Sequence, residues 1–418
     1  MYKKFIGILS VLTSAIVLSS CGTGVRDRGD LPQSTRIDRD IVVAASRNIT
    51  VTPIDSADTT TPSAAIESTI WQTRPDGVIE FNLAHQLAPT HPMAIGLTRF
   101  QQEVELRSGG SLIVNLHGEG RVAVDSPLVG LINNNELDAA LITIWGVWHT
   151  LDDMANLESL PWKFTTYEEA FAAYEGTWGE FVAREIIEPH GGKVLGFFTN
   201  GLRHFTNNVR PIYTPADMVG LRMRSPNIAT NIAMYDLLGS ASIMMGFDVL
   251  PAALVDGTVD GQDNPLGNIY ISRLHDVQRY ISLSNHMFSS APVIVSTDFW
   301  NYLSQEHRDI LVESALDAAR FQGELTVSME DQMLSSMQAD GAQVNNVNLS
   351  AFMTAVEPIW TDHVSRFGVE FADILSRYIT DPNSPVHRHA TVTTATPNEE
   401  ENDVEEYNYE NYEEDGEI

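Results

Sequence analysis

Residues 220–265 open with Gly-Leu-Arg-Met-Arg-Ser-Pro-Asn (220–227) and close with Asp-Gly-Gln-Asp-Asn-Pro (260–265). The first segment predicts a strand that ends with Arg222 and Arg224 just before a helix, and the second predicts a turn that contains Asn264. An arginine guanidinium presents a planar fork of donors that matches a carboxylate, and it stays charged at any relevant pH. The whole chain has a formal net charge of −31 and only 25 lysines and arginines. A basic pair at a strand end therefore indicates a local anion site.

The bulk composition is typical of a soluble globular protein, since 43% of the 418 residues are hydrophobic and 8% are aromatic. This length accommodates two domains with separate cores. The acidic balance argues against nucleic-acid binding and against binding an anionic membrane through a basic face, because both depend on surfaces rich in lysine and arginine. Any anionic ligand must therefore be captured by a few arginines.

The N-terminus has the features of an export signal. Two lysines precede the apolar stretch Phe5–Leu18, which is too short to span a bilayer well. Two serines then lead into Cys21, the only cysteine, and this pattern resembles a bacterial lipobox, in which the cysteine becomes a lipidated N-terminus. An ordinary signal peptide followed by an unmodified cysteine is the alternative. We predict residues 1–20 as a lipoprotein signal peptide, Cys21 as the lipidation site and residues 21–76 as a flexible tether.

Beyond the tether, the alternation of strand and helix patterns predicts an α/β protein. Strand patterns occur at 78–84, 112–116 and 137–144, and the segments between them have helical periodicity. This order predicts a mostly parallel sheet with helices on both faces. Residues 304–341 keep one apolar stripe over roughly 50 Å at about 1.5 Å per residue, which indicates a helix that packs across two domains. Residues 383–418 are predicted to be a disordered acidic tail.

Several motifs within residues 78–380 resemble those of the solute-binding proteins of tripartite ATP-independent periplasmic (TRAP) transporters, the DctP-like family. The motifs are Ala84-His85 with His91-Pro92, Leu160-Pro161-Trp162-Lys163-Phe164, Asn200-Gly201-Leu202-Arg203, Thr214–Pro226 and Val259–Pro265. Each motif alone would be weak, but their common order and spacing make the likeness specific.

The resemblance implies a two-lobed α/β clamp with hinge strands and a long helix that crosses both lobes. We place lobe I in residues 77–200 with 289–325, and lobe II in residues 201–288 with 326–380. The resemblance also implies a binding protein rather than an enzyme, which captures an organic acid and delivers it to the small and large subunits of a sodium-coupled membrane permease. It implies no cofactor and no metal, and the sequence has no zinc-binding or nucleophile motif.

The same resemblance assigns ligand-binding roles to three residues. Arg224 corresponds to the arginine that binds the ligand carboxylate, and an inter-strand salt bridge is its alternative role. Arg222 alternates with Arg224 along a strand, so it is expected to point to the opposite face and into solvent. Arg203 corresponds to an arginine that often adds a second contact, and it follows the predicted strand 194–198 in a glycine-containing loop. Asn264 precedes the proline of the last motif, where its amide either donates to the ligand or holds its own turn.

Four further residues are candidates for the ligand cleft. Asn227 either caps the following helix or contacts a hydroxylated ligand. His85 ends the first predicted strand, where it either faces the cleft or has a structural role. Trp145 follows the strand predicted at 137–144, and it either walls the pocket against a sugar ring or caps the core. Asp248 stands where the family usually has a glutamate, and whether it replaces that residue is left open.

The ligand stays open between a sugar acid and a C4-dicarboxylate, although Asn227 and the tryptophans favour a hydroxylated acid. Two rival functions are considered. The first keeps the fold but changes the partner, as in a ligand sensor or in the binding protein of an ATP-driven importer. The second is an exported enzyme.

Overall fold

The computed structural model of the chain describes residues 70–123, 126–143 and 148–391. The predicted signal peptide, Cys21, nearly all of the predicted tether, Trp145 and the stretch after residue 391 lie outside the described residues. The strands are β1 (Gln72–Thr73), β2 (Ile79–Ala84), β3 (Leu112–His117), β4 (Ala139–Leu141), β5 (Gly192–Asn207), β6 (Arg222–Ser225), β7 (Ala241–Met244), β8 (Gly261–Pro265), β9 (Tyr280–Ser296) and β10 (Gln343–Asn346).

The helices are α1 (Pro92–Arg107), α2 (Ser126–Asn133), α3 (Tyr167–Glu175), α4 (Thr177–Phe181), α5 (Ala229–Leu237), α6 (Leu250–Val255), α7 (Leu266–Ile271), α8 (Thr297–Tyr302), α9 (Gln305–Ala339), α10 (Leu349–Ala355), α11 (Glu357–Phe367), α12 (Glu370–Ser376) and α13 (Pro385–His389). Short 3-10 and π segments lie between them. Among the helices of the three described ranges, none combines the length and the hydrophobicity needed to cross a membrane.

All ten described strands belong to one sheet, whose path runs β1-β2-β4-β9-β5-β8-β6-β7, with β3 beside β2 and β10 beside β9. The two long strands β5 and β9 pair in antiparallel fashion at its centre. Their register shifts between residues 194 and 196, 199 and 201, and 203 and 205. Shifts of this kind bend a strand and increase its twist. The long pair therefore joins the two halves of the sheet through an irregular middle.

The half that contains the N-terminal strands has the predicted parallel α/β layering. β2 lies between β3 and β4, parallel to both. Phe81 and Leu83 of β2 are fully buried, as are Leu97 and Phe100 of α1, which covers one face of the sheet. Because alternate strand residues face opposite sides, Phe81 and Leu83 present one continuous apolar face to this helix.

The other half of the sheet is built on β8, which pairs with β5 antiparallel and with β6 parallel. β6 in turn pairs with β7 in parallel, and α5 forms the connection between them. Gly239, with a φ of +74°, follows the end of α5 in the left-handed conformation that glycine tolerates. The prediction of a mostly parallel sheet is therefore correct for β2 with β3 and β4, and for β6 with β7 and β8. It is wrong elsewhere, because β1 pairs with β2, β4 with β9, and β5 with both β9 and β8 in antiparallel fashion.

The long helix α9 contributes to the cores of both halves. Leu311 and Ala315 pack in the cluster that contains β2 and α1, whereas Met337 packs with the residues of α6. Between these ends, the fully buried Gln322 contacts the middle of β5. Its Oε1 accepts from the Thr199 N–H (2.7 Å), and its Nε2 donates to the Thr199 carbonyl (2.8 Å). This helix agrees with the predicted helix at 304–341 and with its packing across two domains.

Two boundaries differ from those predicted. The strand expected at 137–144 is limited to β4, because Ile142 and Thr143 belong to no strand, and residues 144–147 lie outside the described ones. The disordered tail predicted from residue 383 is wrong for residues 383–391, because α13 belongs to the folded part. Its Val386 is fully buried, Arg388 forms an ion pair with Glu357 at 2.6 Å, and His389 Nε2 lies 2.8 Å from Glu357 Oε1.

Candidate functional site

Arg203 is buried and lies within β5, so the prediction that it stands in a loop is wrong. The glycine signal that favoured a loop comes from Gly201, whose φ of +130° is accommodated at a register shift inside the strand. The Arg203 guanidinium donates from Nε to Asp263 Oδ2 (2.6 Å) and from one terminal nitrogen to Asn264 Oδ1 (3.3 Å). Its other terminal nitrogen donates to the Asp263 carbonyl oxygen. Arg203 is therefore held in a fixed orientation.

Asp263, the anionic partner of Arg203, is fully buried in β8. Its Oδ1 accepts a hydrogen bond from the Tyr235 hydroxyl (2.6 Å), and its Oδ2 lies 3.2 Å from His286 Nε2. Burial alone would raise the pKa of this carboxyl, but the charge of Arg203 and the hydrogen bonds of His286 and Tyr235 lower the pKa of Asp263 well below its usual range. The structure therefore contains an ionised, fully satisfied buried pair.

His286 supports Asp263 from the opposite side. Its Nδ1 lies 2.7 Å from Ser284 Oγ, and its ring stacks on Phe205 with the centroids 4.1 Å apart. Burial lowers the pKa of His286 in spite of the nearby Asp263, so the neutral ring donates from Nε2 and accepts at Nδ1. A row of serine, histidine and aspartate resembles a hydrolase triad. All three side chains are fully buried, however, and the row serves to position Asp263.

Asn264 is buried in strand β8, opposite His204 of β5, and not in the turn that the sequence predicted. Its Oδ1 accepts from Arg203 and from Asn268 Nδ2 (3.4 Å). Its own Nδ2 donates to Gln262 Oε1. These three contacts fix which way the amide points, so Asn264 and Arg203 form one rigid unit.

Asn268, on α7, connects this unit to the N-terminus of α1. Its Oδ1 lies 3.0 Å from His91 Nε2. His91 caps α1 by accepting the Met93 N–H at Nδ1 (3.2 Å), so its proton is on Nε2 and is donated to Asn268. Burial lowers the pKa of His91 to about 4, which keeps the ring neutral at ordinary pH. A series of hydrogen bonds thus runs from His91 of the predicted lobe I to Asn264 Oδ1, which also accepts from Arg203.

His85 follows β2 and is buried near His91. Burial, with a further contribution from the neighbouring His91, lowers the pKa of His85 to about 4. Its Nδ1 accepts the Leu87 N–H (3.2 Å), which leaves Nε2–H as the donor. The ring packs directly on Gly118, where an added Cβ would lie 2.7 Å from Cε1. His85 is therefore a fixed neutral donor.

The two arginines of β6 point in opposite directions, as their alternation predicted. The Arg222 side chain is 47% exposed and pairs with Asp260 at 2.5 Å. Arg224 is buried, and its Nε donates to the Met245 carbonyl (3.1 Å). Burial raises the pKa of Tyr235 well above its usual value, while the charges of Arg203 and Arg224 both lower it. Both arginines therefore act electrostatically on the same hydroxyl.

Two other candidates lie at the surface, and one lies outside the described residues. Asn227 is exposed, and helix α5 begins two residues later with Ile228 as its N-cap, so the prediction that Asn227 caps this helix is wrong. Asp248 is exposed just before α6. Trp145 belongs to the undescribed segment 144–147. The network around Arg203 thus contains Asn264, which is hydrogen-bonded to it, whereas Arg224 and His85 are linked to the network by electrostatic effects, Arg224 on Tyr235 and His91 on His85. The ligand contacts of all four residues stay predictions.

Three members of the network were not identified as functional from the sequence. Asp263 stands beside Asn264 in the same motif, and an acid there is the natural counter-ion for an arginine. Tyr235 belongs to none of the motifs, although a buried tyrosine hydroxyl needs a polar partner and such a residue is a candidate for one. His286 lies beyond the motifs and carries no local signal of its contact with Asp263.

A possible metal-ligand set lies elsewhere, at His275, Asp276 and Asp340. His275 Nε2 is 3.5 Å from Asp276 and 3.3 Å from Asp340. Arg273 donates to both carboxylate oxygens of Asp276, at 2.7 and 2.9 Å. Because the arginine already neutralises this carboxylate, the group is an ion-pair cluster on the surface, and it does not join the network around Arg203.

The family model that describes the bacterial extracellular solute-binding proteins of family 7 (DctP) matches residues 83–366. One curated relative is the 2,3-diketo-L-gulonate-binding periplasmic protein YiaO of Escherichia coli, 26% identical over 65% of this chain and 83% of the relative. Another is the C4-dicarboxylate-binding protein DctB of Bacillus subtilis, 23% identical over 70% of this chain and 84% of the relative. The chain spans about half (53%) of a further relative, an uncharacterised protein of Sinorhizobium fredii.

Solved structures match the same region. A TRAP periplasmic solute-binding protein from a Polaromonas species, bound to D-erythronate, superposes with a TM-score of 0.67 at 26% identity. The match covers 71% of this chain and 98% of that protein. A second such protein, from Chromohalobacter salexigens with bound D-glucuronate, has a TM-score of 0.67 at 24% identity, over 71% of this chain and 98% of the other. The second likeness concerns the fold alone. The two-lobed clamp is the fold of these proteins.

Proposed function

Because this chain belongs to the bacterial extracellular solute-binding proteins of family 7 and is a TRAP-type, DctP-like member, we propose that it captures an organic acid through an arginine–carboxylate clamp. The ligand carboxylate binds Arg224 and Arg203, with Asn264 and His85 as further donors. The loaded protein then delivers the acid to a sodium-coupled membrane permease with a small and a large subunit. Proteins of this family bind solutes for transport, which is a role different from catalysis.

The observation that supports the clamp is the burial of two arginines around one hydroxyl in a chain of net charge −31. Arg203 has Asp263 as an anionic partner, and Arg224 donates from Nε to the Met245 carbonyl. A guanidinium offers a carboxylate two parallel donors, and burial strengthens such contacts because little water competes with them. Two buried arginines that act on one hydroxyl therefore support a carboxylate site beside them.

Closure of the two lobes follows from the same electrostatics. Arg224 belongs to the predicted lobe II and His85 to the predicted lobe I, so an acid that contacts both stabilises the arrangement in which the lobes approach. A ligand shifts such an equilibrium only by its differential affinity for the two states. The irregular middle of β5 and β9, where register shifts bend the strands, is the proposed hinge.

For the ligand we propose a sugar acid or a C4-dicarboxylate. The relatives named above include proteins described as binding 2,3-diketo-L-gulonate, C4-dicarboxylates and D-erythronate. All three are carboxylates at neutral pH, which the arginines suit, and they differ in the groups beyond the carboxylate. The surroundings of the clamp therefore select among them, and the exposed Asn227 and Asp248 stay candidates for this role.

We further propose that the protein works outside the cytoplasm, anchored through lipid on Cys21. The export signal and the lipobox-like sequence support the anchor, and the relatives include proteins described as periplasmic. Replacing Cys21 by serine is expected to release the protein from the membrane fraction into the soluble extracytoplasmic fraction. Retention of the variant in the membrane fraction would contradict the lipid anchor.

A thermal-shift screen of organic acids tests the binding function. A ligand that binds only the folded state raises Tm, because at a concentration of a hundred times its Kd it adds about 2.7 kcal/mol to the free energy of unfolding. The screen includes D-erythronate, D-glucuronate, 2,3-diketo-L-gulonate and succinate, with the neutral sugar D-glucose as a control. At least one acid is expected to raise Tm while glucose does not. If none of these acids and a wider set of carboxylates raises Tm, the proposed function is wrong.

A further inference from the structure

We propose that Asn231 is a specificity-determining residue of the clamp, whose side-chain amide binds a hydroxyl group of the captured acid. This proposal rests on the function proposed above and narrows its ligand to hydroxylated acids, as opposed to acids that carry only carboxylates. Asn231 belongs to none of the motifs that pointed to the binding site.

The amide of Asn231 is buried without a hydrogen-bond partner. The residue is 0% exposed, and neither its Nδ2 nor its Oδ1 has a partner among the residues that the structure describes. A buried polar group without a partner costs the full penalty of its desolvation, so such groups are rare unless they serve a ligand or a bound water. Here the donor and the acceptor of the same side chain are both unsatisfied.

The position of Asn231 places this amide beside the candidate site. Asn231 lies four residues before Tyr235 on α5, and residues four apart lie on the same helix face, one turn from each other. The Tyr235 hydroxyl donates to Asp263 at 2.6 Å, and its pKa responds to the charges of Arg203 and Arg224. The unsatisfied amide is therefore one helix turn from the tyrosine whose hydroxyl binds Asp263, the counter-ion of Arg203.

The neighbouring residue shows that the two sides of this turn have different roles. The Thr230 hydroxyl donates to the Asn156 carbonyl (3.4 Å) and lies 3.3 Å from His363 Nε2, so this side chain is satisfied by the protein. Asn231 occupies the next position, about 100° around the helix, and has no such contacts. Packing alone would be served as well by leucine, which has the same branching and number of side-chain heavy atoms but no polar atoms.

The chemistry of an amide selects a hydroxyl over a second carboxylate. An asparagine side chain donates two hydrogen bonds and accepts at its oxygen. A ligand hydroxyl donates and accepts, so it satisfies both Oδ1 and Nδ2, whereas an ionised carboxylate only accepts and would leave Oδ1 unpaired. Sites built to pair with a substrate hydroxyl reject the analogue that lacks it by large factors, because the buried polar group is then left without its partner.

The test compares matched acids on matched variants of the full-length protein. D-Erythronate and butanoate have the same four-carbon chain with and without hydroxyls, and succinate is the unhydroxylated dicarboxylate. Calorimetric Kd values for these three acids and for D-glucuronate are measured on the wild type, on Asn231→Leu and on Asn133→Leu. Asn133 is the control because its Oδ1 is also buried and unpartnered, at the end of α2 near Gly191.

We expect Asn231→Leu to raise the Kd of the hydroxylated acids at least tenfold and to leave the Kd of butanoate and succinate within about twofold of the wild-type values. Asn133→Leu is expected to change the Kd of neither class of acid. Equal losses for all acids, or no loss for any, would overturn the role of Asn231. A wild type that binds neither these acids nor the wider set of carboxylates overturns the proposed function as well, so the two failures are distinguishable.

A second measurement is independent of any ligand. If the amide has no partner in the free protein, Asn231→Leu keeps or raises the urea midpoint of unfolding, because leucine removes a buried unsatisfied amide. A clear fall of that midpoint, with Asn133→Leu unaffected, would show that Asn231 makes structural hydrogen bonds and would also overturn the proposal. Asn231→Ala repeats the binding comparison if leucine does not fit.

Discussion

The side chains around Arg203 compensate the cost of burying its charge through an ion pair and several hydrogen bonds. Asp263 supplies the opposite charge, and Tyr235 and His286 satisfy its two oxygens. Truncating one partner of such a pair is costly because the other charge stays buried and alone. Arg203 is therefore fixed before any ligand arrives, and we infer that it orients the ligand carboxylate that Arg224 also binds.

Replacing Arg224 by lysine is expected to weaken ligand binding at least tenfold, or about 1.4 kcal/mol, although the charge is retained. The reason is geometric, because an ammonium group cannot reproduce the bidentate fork that a guanidinium offers a carboxylate. Calorimetry with the acid that most raises Tm measures the loss. Arg222→Lys is the matched control, since Arg222 lies on the opposite face of the same strand and pairs with Asp260. Unchanged binding in Arg224→Lys would refute its assignment.

Replacing Asp263 by asparagine is expected to destabilise the fold by about 3–5 kcal/mol, because it leaves the Arg203 guanidinium buried without its counter-ion. Urea unfolding of the two proteins measures the difference. Glu175→Gln is the comparison, since the Glu175–Arg320 pair is about half exposed and pairs of this kind contribute about 0–1 kcal/mol. Equal effects of the two substitutions would show that the buried pair has no special role.

For individual residues, the sequence indicated which polar residues are buried near the candidate site better than it indicated which residues they contact. The motifs identified Arg203, Arg224 and Asn264, and alternation along a strand correctly separated Arg224 from Arg222. The counter-ion Asp263 and the unsatisfied amide of Asn231 were not identified, because both depend on which residues lie within about 3 Å in space. Local sequence does not contain that information when the partners are tens of residues apart.

Among the elements, β5, β9 and α9 carry the mechanical connection between the halves of the sheet. Gln322 of α9 holds both the N–H and the carbonyl of Thr199, next to the central register shift of β5. About two turns further along the helix, Glu330 accepts a hydrogen bond from the Tyr167 hydroxyl. This hydroxyl itself accepts the Leu202 N–H (3.0 Å). The long helix is thus attached to the irregular part of the strand on both sides of Gly201.

The second attachment predicts a dependence of stability on pH. Burial raises the pKa of Glu330 from about 4.5 to about 7, in spite of the Tyr167 hydrogen bond, with a smaller contribution from the neighbouring Asp331. The folded protein therefore holds a proton there that the unfolded chain has released. Stability from this group is full below about pH 4.5 and falls as the pH rises to about 7, by up to about 1.4 kcal/mol per pH unit.

Glu330→Gln isolates this contribution, because glutamine still accepts from Tyr167 but does not titrate. The free energy of unfolding is measured in urea for both proteins from pH 4.5 to 7.5. As the pH rises, the wild type is expected to lose stability relative to Glu330→Gln. Working with the difference is necessary because His85 and His91, whose pKa values are lowered to about 4, change stability in the opposite direction over an overlapping range. A difference that is constant across this range would contradict the raised pKa.

Periodicity predicted the helices and the isolated strands well, and the long central strands poorly. Helices α1 and α9 were recognised because a continuous apolar stripe is a local property. In contrast, the 16 residues of β5 contain glycines that indicate loops, and β8 consists of Gly-Gln-Asp-Asn-Pro, which locally favours a turn. Pairing between distant strands overrides these local preferences. The secondary structure predicted from the sequence was therefore wrong around Arg203 in β5 and Asn264 in β8.

For the whole molecule, a net charge of −31 must be reconciled with an anionic ligand. The overall field repels such a ligand at long range, so affinity has to come from short-range contacts in a buried site. Salt at 0.15 M confines unscreened interactions to about 8 Å. Both conditions favour a clamp whose lobes close over the acid, since closure excludes water and strengthens the contacts of Arg203 and Arg224.

Closure of the lobes can be measured as a distance between two spin labels attached to introduced cysteines. Cys21 is the only cysteine, so a Cys21→Ser background accepts pairs of spin labels without interference. Labels at Thr98 and Val255 report on the predicted lobes I and II, and labels at Leu106 and Asn301 report within lobe I; all four positions are exposed. Saturating ligand is expected to shorten the first distance and to leave the second unchanged. Arg224→Lys at the same occupancy should populate the short distance less, because the ammonium gains less from closure over the carboxylate. Identical distance distributions with and without ligand would mean that the acid binds without bringing the lobes together.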